Sequence, residues 1–114
     1  MMLTIYHNPR CSKSRQTLAL IQQNSTQEVI IIEYLKDPLT KTKIQQLLVQ
    51  LNCAPIDIMR VKEAEFKEQN LKNAVNEHLI TAMVNTPKLI ERPIVSNGNK
   101  AIIGRPPENV LSLC

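Results

Sequence analysis

The sequence predicts an α/β fold in which helices flank a mixed sheet, with a helical insertion between an N-terminal βαβ part and a C-terminal ββα part. Two apolar runs, at residues 3–6 and 29–32, have the composition of strands and enclose a helix-forming segment. The last quarter of the chain carries the pattern of a β-hairpin. A length of 114 residues suffices for one core, so a single domain over residues 1–114 is expected.

The N-terminal part reads as strand, helix and strand. Residues 12–23 carry Leu18, Leu20 and Ile21 among helix formers, and Asn24 and Ser25 end this helix. Residues 29–32 are a valine followed by three isoleucines, a composition typical of buried parallel strands. Because the three elements fit within about 30 residues, they predict a right-handed βαβ unit.

The middle of the chain is predicted to be helical. Thr40 can cap a helix that runs to Leu51, whose apolar residues share one face. Pro55 is expected to open a short helix with Arg60 near its end. A polar stretch follows, and residues 76–84 form the next predicted helix.

The C-terminal part changes to strand signals after Pro87. Residues 93–96 and 101–103 are joined by the turn residues Asn97, Gly98 and Asn99, which predicts a hairpin. Pro106 or Pro107 then starts a last helix. A thioredoxin-like α/β sandwich fits this order of elements, and so does an unrelated small α/β domain.

Composition narrows the function classes. The net charge of +4 suits a small anionic substrate or an acidic partner, but no segment is dominated by Lys and Arg, and aromatic residues are few. We therefore expect no nucleic-acid partner. The three cysteines have no short spacing, which argues against a disulfide framework or a zinc site. No signal peptide or membrane-spanning run is evident, so a cytoplasmic protein without a membrane partner is expected.

Cys11 is the main candidate for chemistry. It lies at the predicted junction of the first strand and first helix, where backbone N–H groups and the helix dipole favour a thiolate. A protonated His7 would favour the thiolate further, although a structural histidine is equally consistent with the spacing. Ser14 stands where a redox pair would place its second cysteine; it can donate a hydrogen bond to the thiolate or be an ordinary first-turn serine. Cys53 is expected to be a packing residue and Cys114 a mobile terminal thiol, and His78 is expected to have no catalytic role.

Arginine positions suggest an oxyanion site. Of the 14 basic residues in the chain, nine are lysines and only five are arginines. Arg10 and Arg15 flank the nucleophile, Arg60 ends the short helix, and Arg92 and Arg105 each precede a proline. The planar guanidinium group binds two oxygens at once, although each arginine alone would more often be a surface charge.

Four motifs resemble those of the glutaredoxin-linked bacterial arsenate reductase family. They are HNPRCSKSR at residues 7–15, IDIMR at 56–60, LIERPIV at 89–95 and GRPPE at 104–108. The chain is similar to the shorter chromosomal members rather than to longer resistance-operon enzymes. The phosphatase-like arsenate reductases differ, because their C-x5-R loop is absent and Arg15 follows Cys11 by only four positions.

The resemblance implies a mechanism and a site. Arsenate would bind Arg60, Arg92 and Arg105, and Cys11 would attack arsenic to give a thioarsenate. Glutathione would be the co-substrate, and glutaredoxin would accept the glutathione disulfide as arsenite leaves. The remaining family positions are His7 and Ser14, which would tune the cysteine, and Pro93, which would be cis beside it. No bound cofactor or metal is implied, and a monomer is expected.

Two other functions compete with this reading. A general glutathione-linked thiol oxidoreductase would use the same cysteine, with arsenate incidental. Spx-type regulators have a similar fold but bind RNA polymerase and sense redox state, usually through C-x-x-C. Ser14 in place of the second cysteine and the presence of all three anion-site arginines favour the enzyme.

Overall fold

A computed structural model describes residues 2–114. By their internal contacts these residues group into two units, one formed by residues 2–37 and 92–114 and the other by residues 38–91. The second unit is the predicted helical insertion. That the whole chain folds as one domain stays a prediction.

The first unit is built on a four-stranded mixed sheet with the strand order β2-β1-β3-β4. The strand β1 (Met2–Tyr6) pairs parallel with β2 (Glu28–Ile32) and antiparallel with β3 (Ile94–Ser96). β3 in turn pairs antiparallel with β4 (Ala101–Ile103). The predicted parallel βα unit and C-terminal hairpin are both present, so the predicted sheet is confirmed.

The position of β2 corrects one expectation. Its β-branched residues predicted a buried strand, but β2 lies at an edge of the sheet and none of its residues is fully buried. Ile31 keeps 46% of its surface exposed. The central strand is instead β1, whose Leu3 and Ile5 are completely buried.

The core of the first unit packs helix α1 (Ser12–Asn24) and a C-terminal helix against the sheet. The predicted last helix is present at Pro107–Leu113, but it is a 3-10 helix. The buried core cluster draws on the strands and both helices: Leu3, Ile5, Ile21, Val95, Val110 and Leu113. Each such side chain contributes roughly 1.5–3 kcal/mol by leaving water, so this cluster is the main anchor of the unit.

The second unit begins with helix α2 (Lys41–Leu51), as predicted. The Thr40 side chain accepts a hydrogen bond from the Lys43 amide at 3.1 Å, which caps the helix. Asn52 ends it in the left-handed conformation with φ of 55°. No helix among residues 2–114 is long and apolar enough to cross a bilayer.

The rest of the second unit contains two helices that the sequence pattern does not reveal. Pro55–Ile58 forms the expected short helix, of the 3-10 type, and α4 (Asn76–Asn85) is the predicted second helix. Between these two helices, the polar stretch contains α3 (Ala64–Glu68). After α4, a 3-10 turn forms at Pro87–Leu89. Neither has hydrophobic periodicity: α3 buries only one residue, Phe66.

Candidate active site

Cys11 is the N-cap residue of α1, at the end of a loop that leaves β1. The His7 amide donates to the Ile32 carbonyl at 2.8 Å, which extends the β1–β2 pairing into the loop. The Cys11 amide donates to the Asn8 carbonyl at 3.0 Å, and the Cys11 carbonyl accepts from the Arg15 amide. These backbone bonds fix the cysteine at the helix N-terminus with only 9% of its surface exposed.

The surroundings of Cys11 favour its thiolate. Burial of the sulfur opposes ionisation, but hydrogen bonding from the backbone of Ser14 and the hydrogen bond and charge of Arg92 outweigh it. The backbone amide of Lys13 adds to these effects, and the pKa of Cys11 falls below its ordinary value. The site therefore holds a nucleophile that is ionised more readily than a free cysteine.

Two guanidinium groups face the sulfur. Arg105 Nη2 lies 3.7 Å from Cys11 Sγ, and Arg92 lowers the pKa of the thiol. Arg105 Nε donates to the Arg92 carbonyl at 2.8 Å, so one arginine positions the other. Within residues 2–114, the buried Arg92 Nε donates to no acceptor. Because a buried N–H group without a partner is costly, this atom is ready to donate to an anion.

The β3–β4 hairpin brings the two arginines together. Arg92 lies two residues before Ile94 and Arg105 two residues after Ile103, and these isoleucines are partners in the sheet register. The pairing continues past the strands, since the Gly104 amide donates to the Pro93 carbonyl at 2.9 Å. Residues 13 positions apart in the chain thus end on one side of the hairpin, beside Cys11.

His7 and Ser14 contact each other. His7 Nδ1 and Ser14 Oγ are 2.7 Å apart, and the same hydroxyl oxygen accepts from the Asn8 amide at 3.0 Å. The Ser14 hydroxyl thus contacts His7 and Asn8, and the effect of Ser14 on the pKa of Cys11 comes from its backbone. Burial lowers the pKa of His7 more than the charge of Glu33 raises it, which favours the neutral imidazole. The pair braces the loop that carries Cys11.

Pro93 and Gly104 form a tightly packed corner beside α1. The Arg92–Pro93 peptide bond is cis, as is Arg105–Pro106. A Cβ atom on Gly104 would stand 2.6 Å from Thr17 Oγ1 and 2.9 Å from Pro93 Cγ. Only glycine fits at this position without displacing the helix or the proline.

We expect Gly104→Ala to destabilise the protein by about 1–3 kcal/mol, because the added methyl group overpacks the corner. It should also displace Arg105, the next residue, and so lower any activity that depends on the Cys11 site. Thermal unfolding and activity assays measure both effects. Gly98→Ala is the matched comparison: φ of 95° there strains any side chain, but nothing lies within 4 Å of an added Cβ, so this variant reports backbone strain without overpacking and should leave activity unchanged. A Gly104→Ala protein as stable and active as wild type would refute this packing argument.

Arg60 belongs to the second unit and is paired with acidic residues there. Its Nε and Nη2 donate to Glu63 Oε1 at 3.0 and 2.9 Å, and Nη1 donates to Glu91 at 3.4 Å. Glu63 also pairs with Lys88, which pairs with Glu65. The guanidinium group of Arg60 thus has its charge compensated by two carboxylates.

Within residues 2–114, the other residues singled out from the sequence make no hydrogen bond to the Cys11 sulfur. Arg15 donates to the Pro9 carbonyl at 3.0 Å and so holds the loop. Cys53 and Cys114 are free thiols, and burial raises the pKa of each. His78 is exposed on α4. Within residues 2–114 no group of His, Cys, Asp and Glu side chains has the arrangement of a metal site.

Two residues that contribute to the site were not singled out from the sequence. Asn8 is buried; its amide holds Ser14, and its side chain accepts from the Arg10 amide at 3.0 Å. Thr17 is completely buried between α1 and Gly104, and its hydroxyl donates to the Lys13 carbonyl at 2.8 Å. The position of Asn8 in the HNPRC segment was the available signal for the first, whereas no local pattern marks Thr17.

We expect Cys11 to be alkylated by iodoacetamide at lower pH than the other two cysteines. The thiolate is the reactive form, and its fraction rises with pH up to the pKa of each thiol. Since that pKa is lowered only for Cys11, its rate should reach a plateau first. Peptide mass spectrometry after timed labelling from pH 5 to 10 provides all three profiles from one protein. Coincident profiles would contradict the electrostatic analysis of the site.

Comparison with known proteins gives consistent matches over nearly the whole chain. The sequence profile of the ArsC family matches residues 6–113. The arsenate reductase of Haemophilus influenzae is 42% identical over 116 residues, which cover 99% of both proteins. The uncharacterised protein YfgD of Escherichia coli is 48% identical over 113 residues, 96% of this chain and 93% of YfgD.

A solved structure shows the same fold. The arsenate reductase from Vibrio cholerae aligns with a TM-score of 0.93 at 43% identity, over 100% of this chain and 98% of that chain. This similarity and the mixed four-stranded sheet confirm the predicted thioredoxin-like fold.

Proposed function

The chain belongs to the ArsC family, and on this premise we propose that it reduces arsenate to arsenite through a thioarsenate on Cys11, with glutathione and glutaredoxin as reductants. The arsenate reductase names of its relatives support the reaction. The observation that carries the proposal is the contact of two guanidinium groups with an easily ionised thiol. Arsenate needs such a pairing, since it is an anion that must approach another anion.

The electrostatics of the site support binding before attack. Arg92 and Arg105 together neutralise the charge that would otherwise repel arsenate from the thiolate. The unpartnered Arg92 Nε offers a donor for one arsenate oxygen, and the α1 N-terminus favours negative charge. The same positive charges, those of the two arginines and of the helix N-terminus, would thus bind the oxyanion and lower the pKa of Cys11.

The first half of the reaction forms two sulfur–arsenic bonds. The Cys11 thiolate attacks arsenic, an arsenic–oxygen bond breaks, and the departing hydroxide takes a proton and leaves as water. The thiol of glutathione then replaces a second oxygen in the same way. Arsenic is still in the +5 state, because each step exchanges one ligand for another.

The second half moves the electrons. A glutaredoxin thiolate attacks the sulfur of the bound glutathione, and the electron pair of the sulfur–arsenic bond stays on arsenic. Arsenic is reduced from +5 to +3, and glutathione and glutaredoxin are oxidised to their mixed disulfide. Water then hydrolyses the bond between Cys11 and arsenic(III), which releases arsenite and restores the thiol.

The lack of a nearby second thiol supports an external reductant. The position that would resolve Cys11 is Ser14, whose hydroxyl bonds His7. Cys53 and Cys114 both have raised pKa values, so neither is activated for attack. The family resemblance alone supports a role for Arg60 in binding arsenate; in its own unit it pairs with Glu63 and Glu91, and these pairs would have to accommodate the arsenate charge.

Arsenite production by the purified protein tests the proposal. Arsenate, glutathione and glutaredoxin should together give arsenite, and omitting either thiol partner should stop turnover. No arsenite above background, combined with efficient reduction of a glutathione mixed disulfide, would show a general thiol oxidoreductase instead. Co-purification with RNA polymerase without either activity would show a regulator of the Spx type.

A further inference from the structure

A cleft of about 250 Å³ opens beside the loop that carries Cys11. One wall is the loop after β1, including Pro9 and Arg10, and the other is the segment after β2, including Glu33, Leu35 and Lys36. All of these residues belong to the first unit. The reaction steps at Cys11 assign no role to the second wall.

The cleft combines both signs of charge with an apolar surface. Arg10 and Lys36 supply cations and Glu33 an anion, while Leu35 remains 46% exposed. Within residues 2–114 Arg10 makes no ion pair, and the Lys36–Glu33 pair is 3.6 Å long and largely exposed. An exposed pair of this kind is worth about 0–1 kcal/mol, so a ligand can replace it with its own charges.

We infer that this cleft binds the γ-glutamyl end of glutathione. That end carries an ammonium group that can pair with Glu33 and a carboxylate that can pair with the two cations. Its two methylene groups can pack against Leu35. The glycyl end has a carboxylate but no ammonium group, and it would leave Glu33 without a partner. The inference rests on the proposed function, in which glutathione must approach Cys11.

The cleft is within reach of the reacting atoms. Arg10 lines it, and Cys11 is the next residue, with Cα atoms about 3.8 Å apart across a peptide bond. An extended tripeptide spans roughly 10 Å. Glutathione anchored by its γ-glutamyl end is therefore long enough to reach from the cleft to Cys11. The small volume of the cleft agrees with binding of part of the molecule, since pockets for whole drug-sized ligands start at about 300 Å³.

Titration with S-methylglutathione, followed by NMR, tests the inference without arsenic or thiol exchange. We expect chemical-shift changes at Leu35, Lys36 and Arg10. S-methyl-γ-glutamylcysteine should bind with similar affinity and S-methylcysteinylglycine far more weakly. Shift changes confined to other surfaces, or equal binding of the two truncated ligands, would overturn the assignment.

Variants that neutralise one charge each give the second measurement. Glu33→Gln and Lys36→Gln should each weaken S-methylglutathione binding about three- to fivefold, as expected for half-exposed ion pairs. Glu28→Gln and Lys100→Gln, exposed and outside the cleft, are the matched controls and should bind like wild type. Equal affinities in all four variants would overturn the inference.

The inference and the proposed function fail in different ways. Arsenite production without binding in the cleft would leave the reductase intact and remove the glutathione site. Binding in the cleft without arsenite production would support the site and remove arsenate as the substrate. In an active enzyme, the Glu33 and Lys36 variants should raise the KM for glutathione and leave the KM for arsenate unchanged.

Discussion

We expect the Cys11→Ser variant to lose arsenate reduction by at least about 10³-fold. A serine hydroxyl does not ionise usefully near neutral pH, so the anion that attacks arsenic is no longer formed. The arginines would remain, and arsenate binding should therefore survive. Arsenite production under saturating glutathione and glutaredoxin measures the loss of activity. The amount of arsenate bound by the protein in equilibrium dialysis measures the binding.

The other cysteines provide matched controls for this substitution. Cys53→Ser and Cys114→Ser change the same atom in thiols whose pKa values are raised rather than lowered. Both variants should retain wild-type activity. If Cys53→Ser or Cys114→Ser were as inactive as Cys11→Ser, an internal disulfide would be part of the cycle, and the glutathione scheme would have to be abandoned.

Arg105→Ala should raise the KM for arsenate about 10- to 100-fold, the usual cost of removing a charged hydrogen-bond donor from an anion. Alkylation of Cys11 by neutral iodoacetamide should change far less, because that reagent does not need the guanidinium group. The contrast between a charged substrate and a neutral one separates anion binding from general disruption. Equal loss in both assays would mean that Arg105 only maintains the structure.

Arg92→Ala should behave differently in one respect. Arg92 lowers the pKa of Cys11, so its removal raises that pKa, and the plateau of the alkylation rate moves to higher pH. Above that plateau, alkylation should recover its wild-type rate while arsenate reduction stays impaired. This result would assign Arg92 to both the ionisation of Cys11 and the binding of arsenate. Lys100→Gln, which removes an exposed cation outside this pair and outside the cleft, is the control for net charge.

Much of the fold could be predicted because local patterns carry it. The apolar runs of β1 and β2, the face of α2 and the turn at Gly98 are all short-range signals. The edge position of β2 could not be predicted, since strand order depends on pairings between distant segments. The helix α3 was hidden because a single buried aromatic residue has no periodicity.

The candidate site divides in the same way. The setting of Cys11 follows from a nine-residue segment, and the family motifs point to the arginines. The pairing of His7 with Ser14 and of Arg60 with Glu63 required the three-dimensional arrangement, because neither spacing specifies which polar groups meet. The sequence thus indicates the candidate site residues, and the structure shows the hydrogen bonds and ion pairs that these residues make.

The β3–β4 hairpin has a consequence for which changes this protein can tolerate. The separation of Arg92 and Arg105 is determined by main-chain pairing and by the length of the turn, in which the Asn97 side chain accepts from the Asn99 and Lys100 amides. Side-chain replacements along the strands leave that separation unchanged. Inserting or deleting one turn residue shifts the register and moves the two cations apart. The proposed oxyanion site would therefore depend on the length of a surface turn.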